Sequence, residues 1–208
     1  MMGALRTVAA LALGMALTPP ALAHHVMDGA LPSTPWQGLL SGLGHPVIGL
    51  DHLAFVVGVG AMAFLLGREL LLPLTFVAGT VAGCALHMLR YDLPAAELIV
   101  AATVAIVAVL VTLRVRLPAS GLAAFFALAG LFHGYAYGES IVGAEMTALA
   151  AYVIGFGVIQ SGIAVGAALA FRAAIGRDWM SEAGAMRIAG VGLALVATAA
   201  LATAAMAG

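Results

Sequence analysis

Six long apolar runs dominate the sequence, and they fix the environment in which such a chain can fold. They cover residues 46–66, 70–88, 95–113, 119–137, 144–171 and 188–206. Each run is close to the ~20 residues that a helix needs to cross ~30 Å of hydrocarbon. Charged residues make up only 8% of the 208 residues, against about 25% in a soluble domain. The sequence therefore predicts an all-α, polytopic membrane helix bundle with six transmembrane helices, and it excludes a soluble enzyme or binding domain.

Charge and cysteine content exclude further classes of protein. The net charge is −1 and no run of basic residues exists, so we expect no nucleic-acid partner. The single cysteine, Cys84, can form neither an internal disulfide nor a CxxC metal or redox pair. The expected surroundings are a lipid bilayer.

The first 23 residues are typical of a secretory signal peptide. Arg6 precedes an apolar stretch over residues 8–17, and small residues at Ala21 and Ala23 offer a cleavage site. We expect cleavage after Ala23; the alternative is an uncleaved first transmembrane helix. The predicted domains are then a signal peptide at 1–23, an extracytoplasmic metal-capture arm at 24–45 and a six-helix transmembrane bundle at 46–208.

The arginines indicate how the bundle is oriented. Among the seven arginines beyond the signal, only Arg90 falls on the predicted outer side. The other six fall in predicted cytoplasmic loops: Arg68, Arg114, Arg116, Arg172, Arg177 and Arg187. This positive-inside bias predicts a multi-pass protein of the bacterial inner (cytoplasmic) membrane with its mature N-terminus in the periplasm.

The histidines have the opposite sidedness. All six map to the arm or to the outer halves of predicted spans: His24, His25, His45, His52, His87 and His133. Imidazole is the commonest protein ligand for transition metals, and ionisable groups cost on the order of 2.5–3.5 kcal/mol at the centre of a membrane helix. The pattern favours a site for a divalent transition metal. Structural hydrogen bonds between helices are the alternative.

The densest polar stretch is HPVIGLDH at residues 45–52. Pro46 suits the first turn of a helix and is expected to begin the first span there. His45 and His52 are seven residues apart and share a face, but a straight helix separates them by about 10.5 Å. One ion can therefore reach both only if His45 lies in a bent segment; otherwise they are two positions on a path, or a ligand and a gate. Asp51 can orient a ligand or attract a cation, or simply hydrogen-bond with His52 or a neighbouring helix.

A second polar stretch, FHGYAYGE at residues 132–139, ends the fourth predicted span. His133 and Tyr137 are four residues apart and share a helix face, and Glu139 lies near the outer mouth. His87, at the end of the second predicted span, is a further candidate ligand.

Three pairs of glycines lie one turn apart on predicted helices, where small residues let backbones approach closely. We interpret them as helix-packing positions: Gly79 with Gly83, Gly134 with Gly138, and Gly162 with Gly166.

The arm supplies another candidate. Cleavage after Ala23 would leave His24 with a free α-amine and His25 as the second residue. Together with a backbone amide these groups can chelate an ion in a plane, which favours Ni(II) or Cu(II). The alternative is a solvated terminus with two incidental histidines.

The two motifs, on a predicted six-span protein with a signal peptide, resemble the HupE/UreJ family over essentially the whole mature chain. Those membrane proteins are associated with hydrogenase and urease operons and are taken to be nickel or cobalt permeases. The resemblance implies metal contacts at His45, Asp51 and His52 in the first motif, and at His133 and Glu139 in the second. Residues 24–32 also resemble the start of nickel- and cobalt-binding components of energy-coupling-factor transporters, which implies a role for His25.

We therefore expect a permease, not an enzyme, that takes up nickel or cobalt as its transported substrate for metalloenzyme or cofactor maturation. No GxxxxGK[ST] loop exists, so this chain does not hydrolyse ATP by that machinery. A homo-oligomer or an accessory transport subunit fits this expectation. The alternatives are a metal-dependent intramembrane hydrolase, although the sequence has no HExxH motif, and a non-transporting metal sensor or assembly factor.

Overall fold

The structure, a computed structural model, describes residues 30–207, and over that range it is all-helical. The signal peptide and arm residues 24–29 lie outside the described residues. The helices are α1 (Pro35–Ile48), α2 (Leu50–Leu66), α3 (Leu71–Met88), α4 (Ala96–Thr112), α5 (Ala119–Glu139), α6 (Met146–Gly176) and α7 (Glu182–Ala207). The predicted all-α class is confirmed.

Length and composition identify the helices that can cross a membrane. Four of them, α3, α5, α6 and α7, are long and apolar enough, and α1 with α2 forms a fifth candidate that is bent by 79°. Helix α4 has 17 residues and is about 25 Å long. A membrane helix bundle with four or five candidate spans is thus supported, while the count of six stays a prediction.

The first helix begins earlier than the sequence predicted. Thr34 caps it, since its hydroxyl accepts a hydrogen bond from the Gln37 N–H at 3.2 Å, and Pro35 occupies the first turn, where its missing N–H costs nothing. The prediction that Pro46 begins the first span is wrong, because Pro46 lies inside α1. Much of the segment predicted as an arm is therefore helical, and it packs on α6.

A break at Gly49 separates α1 from α2. The backbone there is extended (φ −71°, ψ 103°). Leu50 begins the next helix, and the Asp51 carboxylate lies in its first turn, where negative charge is favourable. A Cβ atom on Gly49 would lie 2.7 Å from Cδ2 of His52. Glycine therefore allows the His52 ring to fold over the bend.

Helix α2 lies at the centre of the bundle and is buried on most of its sides. Around it α3 pairs with α5, α1 with α6 and α4 with α7. The α3–α5 contact is close because glycines form it: Gly79 and Gly83 lie against the backbone of α5, and Gly134 lies against that of α3. Gly138 lies against the side chain of His87.

The packing interpretation is thus confirmed for the first two glycine pairs. It is wrong for the third within the described chain, because Cβ atoms on Gly162 and Gly166 would have nothing within 4 Å.

The loops alternate between two ends of the bundle. The arginine end comprises the loops at 67–70, 113–118 and 177–181, and Glu69 pairs there with Arg172. Glu182 pairs with Arg116 at 3.5 Å and with Arg114 at 3.9 Å. The opposite, histidine end comprises Gly49 and the loops at 89–95 and 140–145.

Candidate metal centre

Three histidines from three helices converge inside the histidine end, and we refer to them as the histidine cluster. They are His45 of α1, His52 of α2 and His133 of α5. The ring centroids lie 5.8 Å apart between His45 and His52 and 5.0 Å apart between His52 and His133. All three are buried, with His133 0% exposed. The bend between α1 and α2 thus meets the condition under which His45 and His52 can act together.

A hydrogen bond joins His52 to His133 through their Nδ1 atoms, which are 2.8 Å apart. Thr103 decides which ring donates. Its hydroxyl donates to the Val100 carbonyl at 2.7 Å, and in the His133 tautomer compatible with that bond its lone pair accepts from Nε2–H of His133 at 3.1 Å. The Nδ1 atom of His133 then carries no proton and accepts from Nδ1–H of His52.

The cluster is closed by this proton and is not in a metal-bound geometry. Within residues 30–207, no group of three or more His, Cys, Asp or Glu side chains is arranged to hold a metal ion. Two nitrogen ligands about 2.1 Å from a tetrahedral ion lie about 3.4 Å apart. The His52–His133 pair therefore needs to open by less than about 1 Å to accommodate an ion.

His45 is oriented by two hydroxyl groups. Its Nδ1 lies 3.1 Å from Oγ of Ser140 and 3.1 Å from the hydroxyl of Tyr152. Both hydroxyls also contact the Tyr137 carbonyl, at 3.0 and 2.9 Å. Because these contacts engage Nδ1, Nε2 is the nitrogen that His45 would offer to an ion.

Tyr137 lines the side of the cluster. Its ring lies 4.8 Å from His45 and 4.6 Å from His52 between centroids. It is fully buried, and its hydroxyl has no hydrogen-bond partner among the described residues. The prediction that Tyr137 and His133 share a face is confirmed, since both side chains contact His52.

Beyond His133 lies a group of phenylalanines that we call the aromatic floor: Phe55, Phe76 and Phe126. The His133 ring packs on Phe55 at 4.3 Å and on Phe76 at 5.7 Å, and Phe126 meets Phe55 at 5.8 Å. All three phenylalanines are 0% exposed. The floor is the part of the buried apolar core that meets the histidine cluster, on the side of the arginine end.

The remaining predicted ligands lie around the cluster or outside the described residues. Asp51 is half-buried, and its carboxylate accepts a hydrogen bond from the His52 backbone N–H at 2.8 Å. Glu139 is the exposed last residue of α5. His87 packs on Tyr135 with ring centroids 4.4 Å apart. His24 and His25 lie outside the described residues, so the amine-and-imidazole chelate stays a prediction.

Several residues that orient the cluster were not predicted from the sequence. These are Thr103, Ser140, Tyr152 and the aromatic floor. A threonine or serine hydroxyl in an apolar run usually hydrogen-bonds to a carbonyl of its own helix. That Thr103 also contacts His133 becomes visible only once the packing of the two helices is known. Tyr152 had a weak signal, because a tyrosine hydroxyl inside a membrane run needs a partner.

The fold and the site together define a multi-pass membrane protein with imidazoles buried and hydrogen-bonded inside one end of an apolar helix bundle. The family model described as "HupE / UreJ protein" matches residues 11–201, and the chain belongs to the HupE/UreJ family. It is 36% identical to Protein HupE of Rhizobium leguminosarum bv. viciae over 153 residues, which is 72% of this chain and 73% of that protein. No solved structure matches it.

Proposed function

We propose that this protein is a permease that takes up nickel or cobalt across the inner membrane. The observation that carries the proposal is the convergence of His45, His52 and His133 from three helices inside an apolar bundle. Buried polar groups of this kind are costly in a membrane and commonly mark an ion pathway. Family membership favours the nickel and cobalt chemistry that the sequence motifs imply.

The ion is captured at the histidine end, which we place at the periplasmic face. Asp51 and Glu139 supply negative charge near the opening, and the predicted arm with His24 and His25 delivers the ion. His45 is met first, because its Nδ1 contacts Ser140 in the loop at the histidine end.

The ion then displaces the hydrogen bond between His52 and His133. Thr103 continues to hold the far nitrogen of His133, so that ring keeps its orientation while its Nδ1 changes partner. Groups that hold the second nitrogen of a ligating imidazole fix its direction and raise its basicity. His87 adds a further imidazole beside the route.

The aromatic floor makes the permease a gated carrier rather than an open pore. Phe55, Phe76 and Phe126 leave the cluster sealed toward the arginine end, so an ion bound at His133 is released only after a rearrangement. We propose that the released ion serves maturation of a hydrogenase, a urease or a metal-containing cofactor.

Uptake of radiolabelled nickel and cobalt by cells expressing the protein tests this function. Wild-type cells should accumulate more metal than empty-vector cells, and His52→Ala or His133→Ala should remove the excess. Membrane yields of each variant are compared so that loss of protein is not mistaken for loss of transport. Wild-type accumulation no higher than that of empty-vector cells would contradict the proposal, and binding without flux would favour a sensor or assembly factor.

A further inference from the structure

A second polar group lies deeper in the bundle, and no motif predicts it. It comprises Thr80 of α3, Tyr137 of α5 and Gln160 of α6, all 0% exposed. Gln160 is the only amide side chain in the apolar run 144–171. It is eight residues beyond Tyr152 on the same helix, which is about 12 Å deeper than the level of His45.

The hydrogen bonds of this group are incomplete. The Thr80 hydroxyl has one proton and two acceptors, the Val77 carbonyl at 2.8 Å and Oε1 of Gln160 at 3.1 Å. The Tyr137 hydroxyl and Nε2 of Gln160 are buried without a hydrogen-bond partner among the described residues. Gln160 lies near the Tyr137 hydroxyl, although the two make no hydrogen bond of ordinary geometry.

Such groups are expensive in a dry bundle, because each buried polar atom without a partner costs about 1–3 kcal/mol. A water molecule between Tyr137, Thr80 and Gln160 would supply the missing partners, because its oxygen accepts from Nε2–H of Gln160 and can exchange a hydrogen bond with the Tyr137 hydroxyl. Their position also connects with the histidine cluster, since the Tyr137 ring touches both His45 and His52.

The group lies beside the aromatic floor. Along α3, Thr80 comes one turn before the level of Phe76 when approached from the histidine end. Along α6, Gln160 follows Phe156, whose ring packs on Tyr137 at 5.4 Å. An ion that left the cluster along α6 would therefore meet the oxygen atoms of this group. An ion that moved through the aromatic floor would meet only phenylalanine rings.

We propose that Gln160, Thr80 and the Tyr137 hydroxyl form a second binding position for the transported divalent cation, which they hold through neutral oxygen atoms and part of its water shell. Neutral oxygens bind nickel and cobalt less tightly than imidazole does. A weak binding site next to a tight one favours transport of the ion, because conduction needs sites that an ion can leave. The inference rests on the proposed permease function.

Two variants with matched controls test this position in proteoliposomes. Thr80→Val removes the hydroxyl that reaches Gln160, and Thr75→Val removes a hydroxyl that donates only to its own helix, also at 2.8 Å. Gln160→Met removes the amide, and Ser161→Ala removes the neighbouring hydroxyl that bonds to Gly157. The initial rate of radiolabelled nickel influx and the equilibrium Kd for nickel in detergent are measured for each.

We expect Thr80→Val and Gln160→Met to lower the influx rate about tenfold, the change for one lost interaction at a limiting step. The nickel Kd should stay within about twofold, because the histidine cluster is intact. Thr80→Ser should restore influx, and both control variants should transport like wild type. If Gln160→Met does not fold, the Thr80 and Thr75 variants decide the question alone.

Three results would overturn the proposal while leaving the permease function standing. They are unchanged influx in Thr80→Val, an equal loss in Thr75→Val, and a nickel Kd that weakens in parallel with the rate. Wild-type influx no faster than in protein-free vesicles would instead refute the permease function and this position with it.

Discussion

At the residue scale, one proton holds the candidate site closed: the proton that His52 donates to His133. The direction of that bond is set by Thr103, which has already given its own proton to a carbonyl. A side chain that was not recognised in the sequence thus decides which of the two imidazoles donates to the other. A residue of this kind positions a ligand and need not touch the ion.

Thr103→Val should therefore weaken nickel binding about 10–100-fold, the range found when the partner of a ligating histidine is removed. The control is Thr112→Val on the same helix, whose hydroxyl donates to the Ala108 carbonyl at 2.7 Å. Isothermal titration of nickel into purified protein measures both. Equal affinities in the two variants would show that Thr103 has no role in positioning His133.

At the element scale, the bend at Gly49 converts two residues seven apart in sequence into neighbours. A straight helix would hold His45 and His52 about 10.5 Å apart along its axis, whereas their ring centroids are 5.8 Å apart here. The turn depends on a glycine, because the His52 ring occupies the space that a Cβ atom would need.

Gly49→Ala should displace the His52 ring and weaken nickel binding while the bundle still folds. Gly162→Ala is the matched control, since a Cβ atom there would have nothing within 4 Å. Nickel affinity and the thermal unfolding temperature in detergent are recorded for both variants. Wild-type affinity in Gly49→Ala would mean that the bend does not require glycine.

The glycine contact between α3 and α5 should be a main determinant of stability. In Gly83→Ala the new methyl group would meet the Leu131 carbonyl, and overpacking of this kind costs about 1–3 kcal/mol. We expect a lower unfolding temperature for Gly83→Ala than for Gly166→Ala, whose added methyl group meets open space. Similar unfolding temperatures would contradict the assigned packing role.

The elements could be predicted from apolar run lengths more reliably than the site could. The predicted run at 70–88 corresponds to the helix Leu71–Met88, and the predicted run at 119–137 corresponds to the helix Ala119–Glu139. Helix α1 was missed because it is only moderately apolar, although Thr34 and Gln37 are a capping signal that could have revealed it. The motif histidines could be recognised by residue type. The roles of Thr103 and Gln160 depend on which helices pack together, and residue spacing in a single sequence does not show this.

At the scale of the whole molecule, the charged and imidazole groups are divided between two ends. The ion pairs of Glu69 and Glu182 belong to the arginine end, while the histidine cluster lies toward the other. The aromatic floor lies between them, so the two ends are chemically separate.

Charge at the arginine end should therefore affect stability and transport little. Glu69→Gln removes a partner of the partly exposed Arg172, and pairs of this kind contribute about 0–1 kcal/mol. We expect an unfolding temperature close to wild type, a smaller difference still at high salt, and unchanged nickel affinity. A large loss of nickel affinity would show that the two ends are coupled.

The central claim is that the transported ion passes through the buried histidine cluster. Radiolabelled nickel influx into proteoliposomes, measured for wild type and for folded His133→Ala, tests it most directly, because His133 is fully buried and an ion can meet it only inside the bundle. We predict influx above protein-free vesicles for wild type and influx at the vesicle background for His133→Ala. Equal influx in the two proteins would contradict the claim.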